Sequence, residues 1–299
     1  MRVYNLFVLF LSFAIVFSQT PSSSIPDSSS LLVSTSSLTS LSHSSIISLA
    51  SSHTGAYDPI SLSTFYAFEG DTVMVNYAPR NLDIDGNVAY VVCTDRLISI
   101  DITNLDSMFI LDSVVVGFEL TDIEVRGNFA FVTKILHCVY PTPDKGLLLV
   151  FNISNPESIF LVDTVYMSDS LQFRAVDLEG DVAYIATEHG LLSLDITHPD
   201  SAIFLDYVIG GNYLKDLVVD GNVAYASGSQ IVKFDVTYPN SMSFICQVDT
   251  YNIIWSIDVD GDYLFAAYWN YGVKIFYVPK QNSIPRLIDS IPFPENVHP

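Results

Sequence analysis

The sequence predicts an all-β chain folded as a β-propeller of four-stranded antiparallel blades, and three observations carry that prediction. One hairpin phrase is written five times, centred on Gly86, Gly127, Gly180, Gly221 and Gly261. Those glycines stand 41, 53, 41 and 40 residues apart. Each phrase is followed by two more short apolar strands before the next begins. Four strands in about 40–45 residues is the period of a propeller blade, and no segment of helical period interrupts the series.

Taken in order, the first twenty residues read as a secretory signal. Arg2 supplies the positive start, Leu6 to Phe17 is an almost unbroken apolar run, and Val16 with Ser18 fits a small-residue cleavage site. The run is shorter than the roughly 20 residues a spanning helix needs. These features predict export to the cell surface or medium, with no stable membrane insertion after cleavage. Residues 21–63 form a separate region, with eighteen serines among the 42 residues from Ser22 to Ser63. Such composition reads as a linker or glycosylated stalk, or as a degenerate blade, and residues 64–299 as the propeller.

The chain has 12 Lys plus Arg against 33 Asp plus Glu, a formal charge of −21. It should repel nucleic acid and anionic lipid. Its 49% hydrophobic content supplies a large core. Three cysteines, Cys93, Cys138 and Cys246, are too few for a disulfide scaffold. Cys93 and Cys138 fall at similar places in adjacent repeats, so a bridge is one expectation and buried thiols the other.

Within the repeats, Leu82-Asp83-Ile84-Asp85-Gly86-Asn87-Val88-Ala89-Tyr90 is strand, turn, strand, and the same phrase returns around the other four glycines. The glycine is required because the tight turn needs positive φ. A third strand follows each hairpin, as at Leu97 to Ile102 or Leu191 to Ile196, and closes in a turn such as Asp195-Ile196-Thr197-His198-Pro199. Asx side chains cap such turns and proline stops the strand. A fourth strand completes each unit, as at Asp112-Ser113-Val114 and Asp206-Tyr207-Val208. Asn152-Ile153-Ser154, a glycosylation sequon, coincides with the capping position of the other copies and reads as a turn.

These phrases resemble the LVIVD-repeat family, relatives of the YVTN-type surface propellers. The likeness lies in Val-x-Val-x-Gly-Asn-x-Ala-Tyr followed by Leu-x-Val-x-Asp-Ile-Ser-x-Pro, from about Glu69 to Ile291. It implies an exported or cell-surface propeller and says almost nothing of its ligand. Copy five departs with Tyr277-Val278-Pro279, and copy four with Gly228-Ser229-Gln230. A further fourth-strand phrase, Asp71-Thr72-Val73, ends 13 residues before Gly86, as Val114 does before Gly127. The ring therefore has five clear blades, with a worn sixth as an alternative upstream.

A residue type shared by every copy holds the blade together, and one found in a single copy is free for function. Seven residues before the glycine, Leu120, Phe173, Leu214 and Ile254 mark a core position. Three before it, Asp83, Glu124, Asp177 and Asp258 either bond to backbone or converge on a cation. Six before it stand Arg80, Thr121, Arg174, Lys215 and Trp255. Those cations either pair with acids such as Asp122 and Asp216 or clamp an anion or sugar at the channel mouth. Copy-specific aromatics fall in the loops of the same face: Tyr213, Tyr251, Trp269 and Tyr271, with Tyr140 in a second-copy loop lengthened by ten residues.

No catalytic motif, metal-ligand spacing or cofactor fingerprint is present in the sequence. The expectation is a non-enzymatic recognition module that binds a glycan or protein through these residues, with no cofactor and no metal. A hydrolase or lyase using channel-mouth acids, and a purely structural spacer, are the alternatives.

Overall fold

The computed structural model describes residues 78–138, 144–167, 171–268, 271–279 and 283–292, and gives backbone alone for residues 7–10, 13–16, 49–50 and 73–74. Apart from those four short backbone segments, the expected signal segment, the serine-rich stretch and the alternative sixth blade lie outside the described residues, as do Tyr140 and Trp269.

Five four-stranded antiparallel sheets follow one another, each with its strands in chain order. The inner strands are Pro79–Asp85, Leu120–Arg126, Phe173–Glu179, Asp216–Asp220 and Ile254–Asp260, in blades 1 to 5. They pack on one another in succession. The glycine phrase behaves as its chemistry requires. All five turn glycines have φ between +57° and +63°, while the residue after each has ordinary negative φ. That is the two-residue turn with glycine first, whose twist matches the flanking strands. The same corner is tied to the end of the third strand in every blade, for example by Ile102 N donating to Asn87 O at 2.9 Å and Val278 N to Asp262 O at 2.7 Å.

The third-strand turns are Asx-capped. Asp101, Asp195 and Asp235 each accept the amide two residues on, at 2.7, 2.8 and 2.9 Å. Asn152 does likewise with Ser154, whose hydroxyl it also accepts at 2.7 Å. In every blade the outer strand carries one extra residue against the third strand, at Leu111, Val162, Leu205, Ile245 and Ile288. Such bulges twist an edge strand away from open-ended pairing.

Among the described residues, four of the five apolar clusters lie between blades, and the fifth, around Val91, Ile98 and Ile100, belongs to blade 1 alone. Tyr90, Val92 and Leu97 of blade 1 pack with Leu120, Ile123 and Phe151 of blade 2. Equivalent clusters join blades 2 and 3, 3 and 4, and 4 and 5. Leu120, Phe173, Leu214 and Ile254 are all fully buried in them, each worth about 1.5–3 kcal/mol on transfer from water. Polar ties cross the same interfaces. Ser99, Ser193 and Lys233 each reach a proline carbonyl of the next blade, at Pro156, Pro239 and Pro279, and all three bonds are 2.6 Å long. The three cysteines are free thiols. Burial drives the Cys93 thiol up to about 12, so it is an inert core group.

Candidate functional site: a ladder of cations and aromatics on the rim

Two charged regions lie along the propeller axis. The first is the wall of a cavity of about 310 Å³ lined by the inner strands, among them Asp83, Asp122, Asp177, Asp216 and Asp258. These carboxylates bind backbone. Asp83 accepts Val125 N of the next blade at 2.6 Å, Asp122 accepts Val176 N at 2.8 Å, Asp177 accepts Val219 N at 2.5 Å, and Asp216 accepts Ile257 N at 2.7 Å. With its other oxygen each takes the amide of the residue that follows it, at 2.7–2.9 Å. Asn81 also donates its side-chain amide to Asp122. The tie alternates between two registers, three residues before the glycine in blades 1 and 3 and five before it in blades 2 and 4. Among the described residues Asp258 on blade 5 accepts one amide, that of Val259, at 2.8 Å.

Burial sets the protonation of this wall. It pushes Asp122 up to about 8, aided by the charge of Asp216, and raises Asp216 and Asp83 as well. Asp258 rises to about 6 for the same reason. Among the described residues no group of three or more His, Cys, Asp and Glu has the arrangement of a metal site.

The second region is the rim, formed by the loops that enter the inner strands. Here Arg174 of blade 3, Tyr213 and Lys215 leading into blade 4, and Trp255 of blade 5 form one continuous contact ladder. The Arg174 guanidinium carbon lies 4.5 Å from the centre of the Tyr213 ring. The Lys215 ammonium lies 5.3 Å from that ring and 3.9 Å from the Trp255 ring. At these separations each cation is attracted by the ring quadrupole. The expected pairing of these cations with Asp122 and Asp216 does not occur, because both carboxylates are taken up by main-chain amides one layer below.

Backbone strain fixes the ladder. Tyr213 has φ +57°, in the left-handed region that costs a non-glycine residue about 1 kcal/mol. Its amide is held by Glu188 O at 2.7 Å. Its carbonyl sits so close to Gly228 that a Cβ there would lie 2.2 Å away. That explains the glycine in the departing Gly228-Ser229-Gln230 of copy four. Among the described residues the non-glycine residues with positive φ are Glu119, Tyr213 and Tyr251, all in loops between blades on this one face. Strain of this kind concentrates at functional sites.

Gln172 and Asp144 were not singled out by the sequence, and both buttress the ladder. Arg174 Nη2 donates to Gln172 Oε1 at 2.5 Å, and Gln172 Nε2 to Asp144 Oδ2 at 3.4 Å. Asp144 also accepts the Cys138 amide and faces His137 Nδ1 at 2.7 Å. The Cys138 amide first, and then His137, hold its carboxyl below the ordinary value. The signal for Asp144 was the lengthened second-copy loop itself, whereas Gln172 stands in the loop that enters the inner strand of blade 3.

The other nominated residues stand apart from the ladder. Arg80 is exposed on blade 1, with Thr121 of blade 2 between it and Arg174. Tyr251, 97% exposed, and Tyr271, 56% exposed, flank the Trp255 end on blade 5.

Comparison with known proteins agrees with this architecture. The LVIVD repeat model matches residues 79–116 and 173–207. No curated protein sequence matches the chain. Among solved structures, a functionally unknown protein from Desulfotomaculum acetoxidans is similar at TM-score 0.60 and 14% identity, covering 73% of this chain and 71% of its own. The periplasmic gluconolactonase PpgL of Pseudomonas aeruginosa is similar at TM-score 0.60 and 13% identity, over 72% of each chain. The β-propeller domain of Cps50 (Swd1) from Myceliophteria thermophila is similar at TM-score 0.54 and 11% identity, covering 72% of this chain and 71% of its own. At such identities the likeness is one of fold: the chain is a β-propeller of four-stranded blades that carries LVIVD-repeat matches in blades 1 and 3.

Proposed function

We propose that the chain is an exported or cell-surface recognition module that binds a glycan or a protein loop on the rim, without chemistry of its own. One observation carries this reading: Arg174, Tyr213, Lys215 and Trp255, absent from the equivalent places in other copies or combined only here, meet across three blades on one face. A scaffold needs no such convergence, since the blades are already joined by carboxylate–amide ties and apolar clusters one layer below. Aromatic rings beside hydrogen-bond donors, with strained loops holding them, are the features of a recognition surface. Screening the chain against arrayed glycans and cell-surface extracts tests the reading. Trp255→Ala should weaken the binding found by up to about tenfold and shift melting by less than about 2 °C. A large loss of stability without a binding change would make Trp255 a core residue.

An enzymatic reading rests on Asp258. A raised carboxylate beside a cavity suits acid–base chemistry, but Asp83, Asp122, Asp177 and Asp216 have both oxygens bound to amides. Among the described residues Asp258 alone in this series has only one engaged. Turnover of sugar lactones and esters that Asp258→Asn eliminates would favour this reading over recognition, and turnover unaffected by that substitution would refute it.

A further inference from the structure

We propose that Arg174 and Lys215, the two cations seated against Tyr213, receive an oxyanion carried on a sugar, a uronate carboxylate or a sulfate ester, and that Tyr213 and Trp255 hold the two cations rather than stack on the ligand. The inference rests on the recognition reading and names the chemistry of its ligand.

The aromatic rings decide the first half. A sugar stacks on an aromatic face, but in this ladder cations already lie over the rings. Lys215 sits 3.9 Å above Trp255, and Tyr213 is approached by Arg174 at 4.5 Å and Lys215 at 5.3 Å. The rings therefore act as seats. They pin two flexible, charged side chains at fixed positions and so remove much of the entropy that binding would otherwise cost.

The charges decide the second half. Arg174 and Lys215 are two of only 12 basic residues in a chain with 33 acidic ones, and they stand together. Neither takes part in the ion pairs found among the described residues, which join Arg96 to Asp95, Arg126 to Asp181, and His137 to Glu119 and Asp144. Asp216, next to Lys215 in sequence, has both oxygens on backbone amides. Asp144 is the acid whose charge Arg174 does influence, and Gln172 lies between them. Arg174 Nε is buried without a hydrogen-bond partner, while Gln172 occupies only Nη2. A guanidinium so held keeps donor capacity that the fold does not use, and a carboxylate or sulfate can accept from its remaining N–H groups. Burial first, and the Arg174 charge second, lower the Lys215 ammonium, a cost that an anion bound beside the two cations would offset.

A sugar, rather than a free ion, fits the surroundings. Tyr251 and Tyr271 stand in blade-5 loops on the same face, 97% and 56% exposed, with area for the apolar face of neighbouring residues of a glycan chain.

Calorimetry on the full chain at low salt tests this with defined probes. These are a galacturonate tetramer and its methyl ester, a sulfated tetrasaccharide and its desulfated form, and inorganic sulfate. The expected result is that one charged tetrasaccharide binds at least about tenfold more tightly than its neutral counterpart. Which pair shows the difference separates carboxylate from sulfate ester. Arg174→Gln and Lys215→Met should each weaken that binding about tenfold, the loss of one charge-assisted contact. Lys215→Arg should retain most of it. Equal binding of charged and neutral forms, unaffected by Lys215→Met, would overturn the oxyanion assignment and leave recognition standing. Binding of inorganic sulfate as tight as that of the sugar would overturn the sugar. No binding of any glycan, charged or neutral, here or in the wider screen, would remove the recognition reading and this inference with it.

Discussion

The cavity wall and the rim above it are both built from ionisable side chains of the inner strands, yet they use them in opposite ways. On the wall, four aspartates in successive blades each span to the next blade and end on a main-chain amide. On the rim, Arg174 and Lys215 meet aromatic faces and each other. A charge spent on backbone amides is scaffolding, since its removal leaves buried donors unsatisfied. A charge held by rings still has its strongest interactions to give. Mutations at the two levels should therefore separate stability from binding.

The largest effect is expected on the wall. Asp122→Ala strands the Val176 and Ile123 amides and the Asn81 side chain in a buried site. The cost should be about 3 kcal/mol, or roughly 10 °C in Tm, with ligand affinity of the folded protein unchanged. A loss of affinity matching the loss of Tm would erase the distinction between the levels.

Next comes pH. Asp122, Asp83, Asp216 and Asp258 have folded values raised above the ordinary carboxylate value of 3.8, Asp122 to about 8 and Asp258 to about 6. The folded state thus holds protons that the unfolded chain has released. Its stability is fullest below about pH 4 and declines as pH rises through the window to about 8. Tm measured from pH 5 to 8.5 should fall by roughly 5–10 °C, and Asp122→Asn should flatten the upper part of that slope. A Tm that rises over this range would refute the assignment.

A smaller effect is expected where scaffold and rim touch. Gly228→Ala places a methyl group against the Tyr213 carbonyl. It should cost about 1–3 kcal/mol by differential scanning calorimetry and shift Tyr213 away from its cations, so binding falls as well. Unchanged binding would mean that the strained Tyr213 backbone is not what positions the ladder.

The smallest is Lys215→Met, expected to change stability by less than about 0.5 kcal/mol in urea titration, because its charge contributes to no ion pair among the described residues. A loss above about 2 kcal/mol would place Lys215 among the structural residues.

The blade was legible because its signals are local. A glycine between two alternating strands specifies its own hairpin, and the column seven residues earlier specified the core at Leu120, Phe173, Leu214 and Ile254. The wall was only half legible. Reading one column at a time pointed to Asp83 and Asp177 but hid their equivalents Asp122 and Asp216, because the tie shifts by two residues in alternate blades. Two residues along a strand restore the same face, so either register can meet the neighbouring amide. That alternation is visible only once the blades stand side by side.

The sequence alone determined the repeat, its turns and which faces of each sheet are apolar, since these depend on φ at one glycine and on a period of two along a strand. Only the tertiary structure decided which charges find partners. Arg174, Tyr213, Lys215 and Trp255 span three blades, and their meeting depends on how those blades pack around the axis and on a left-handed tyrosine braced against Gly228. Interblade geometry is set by the sum of many apolar contacts, and no single stretch of residues encodes it.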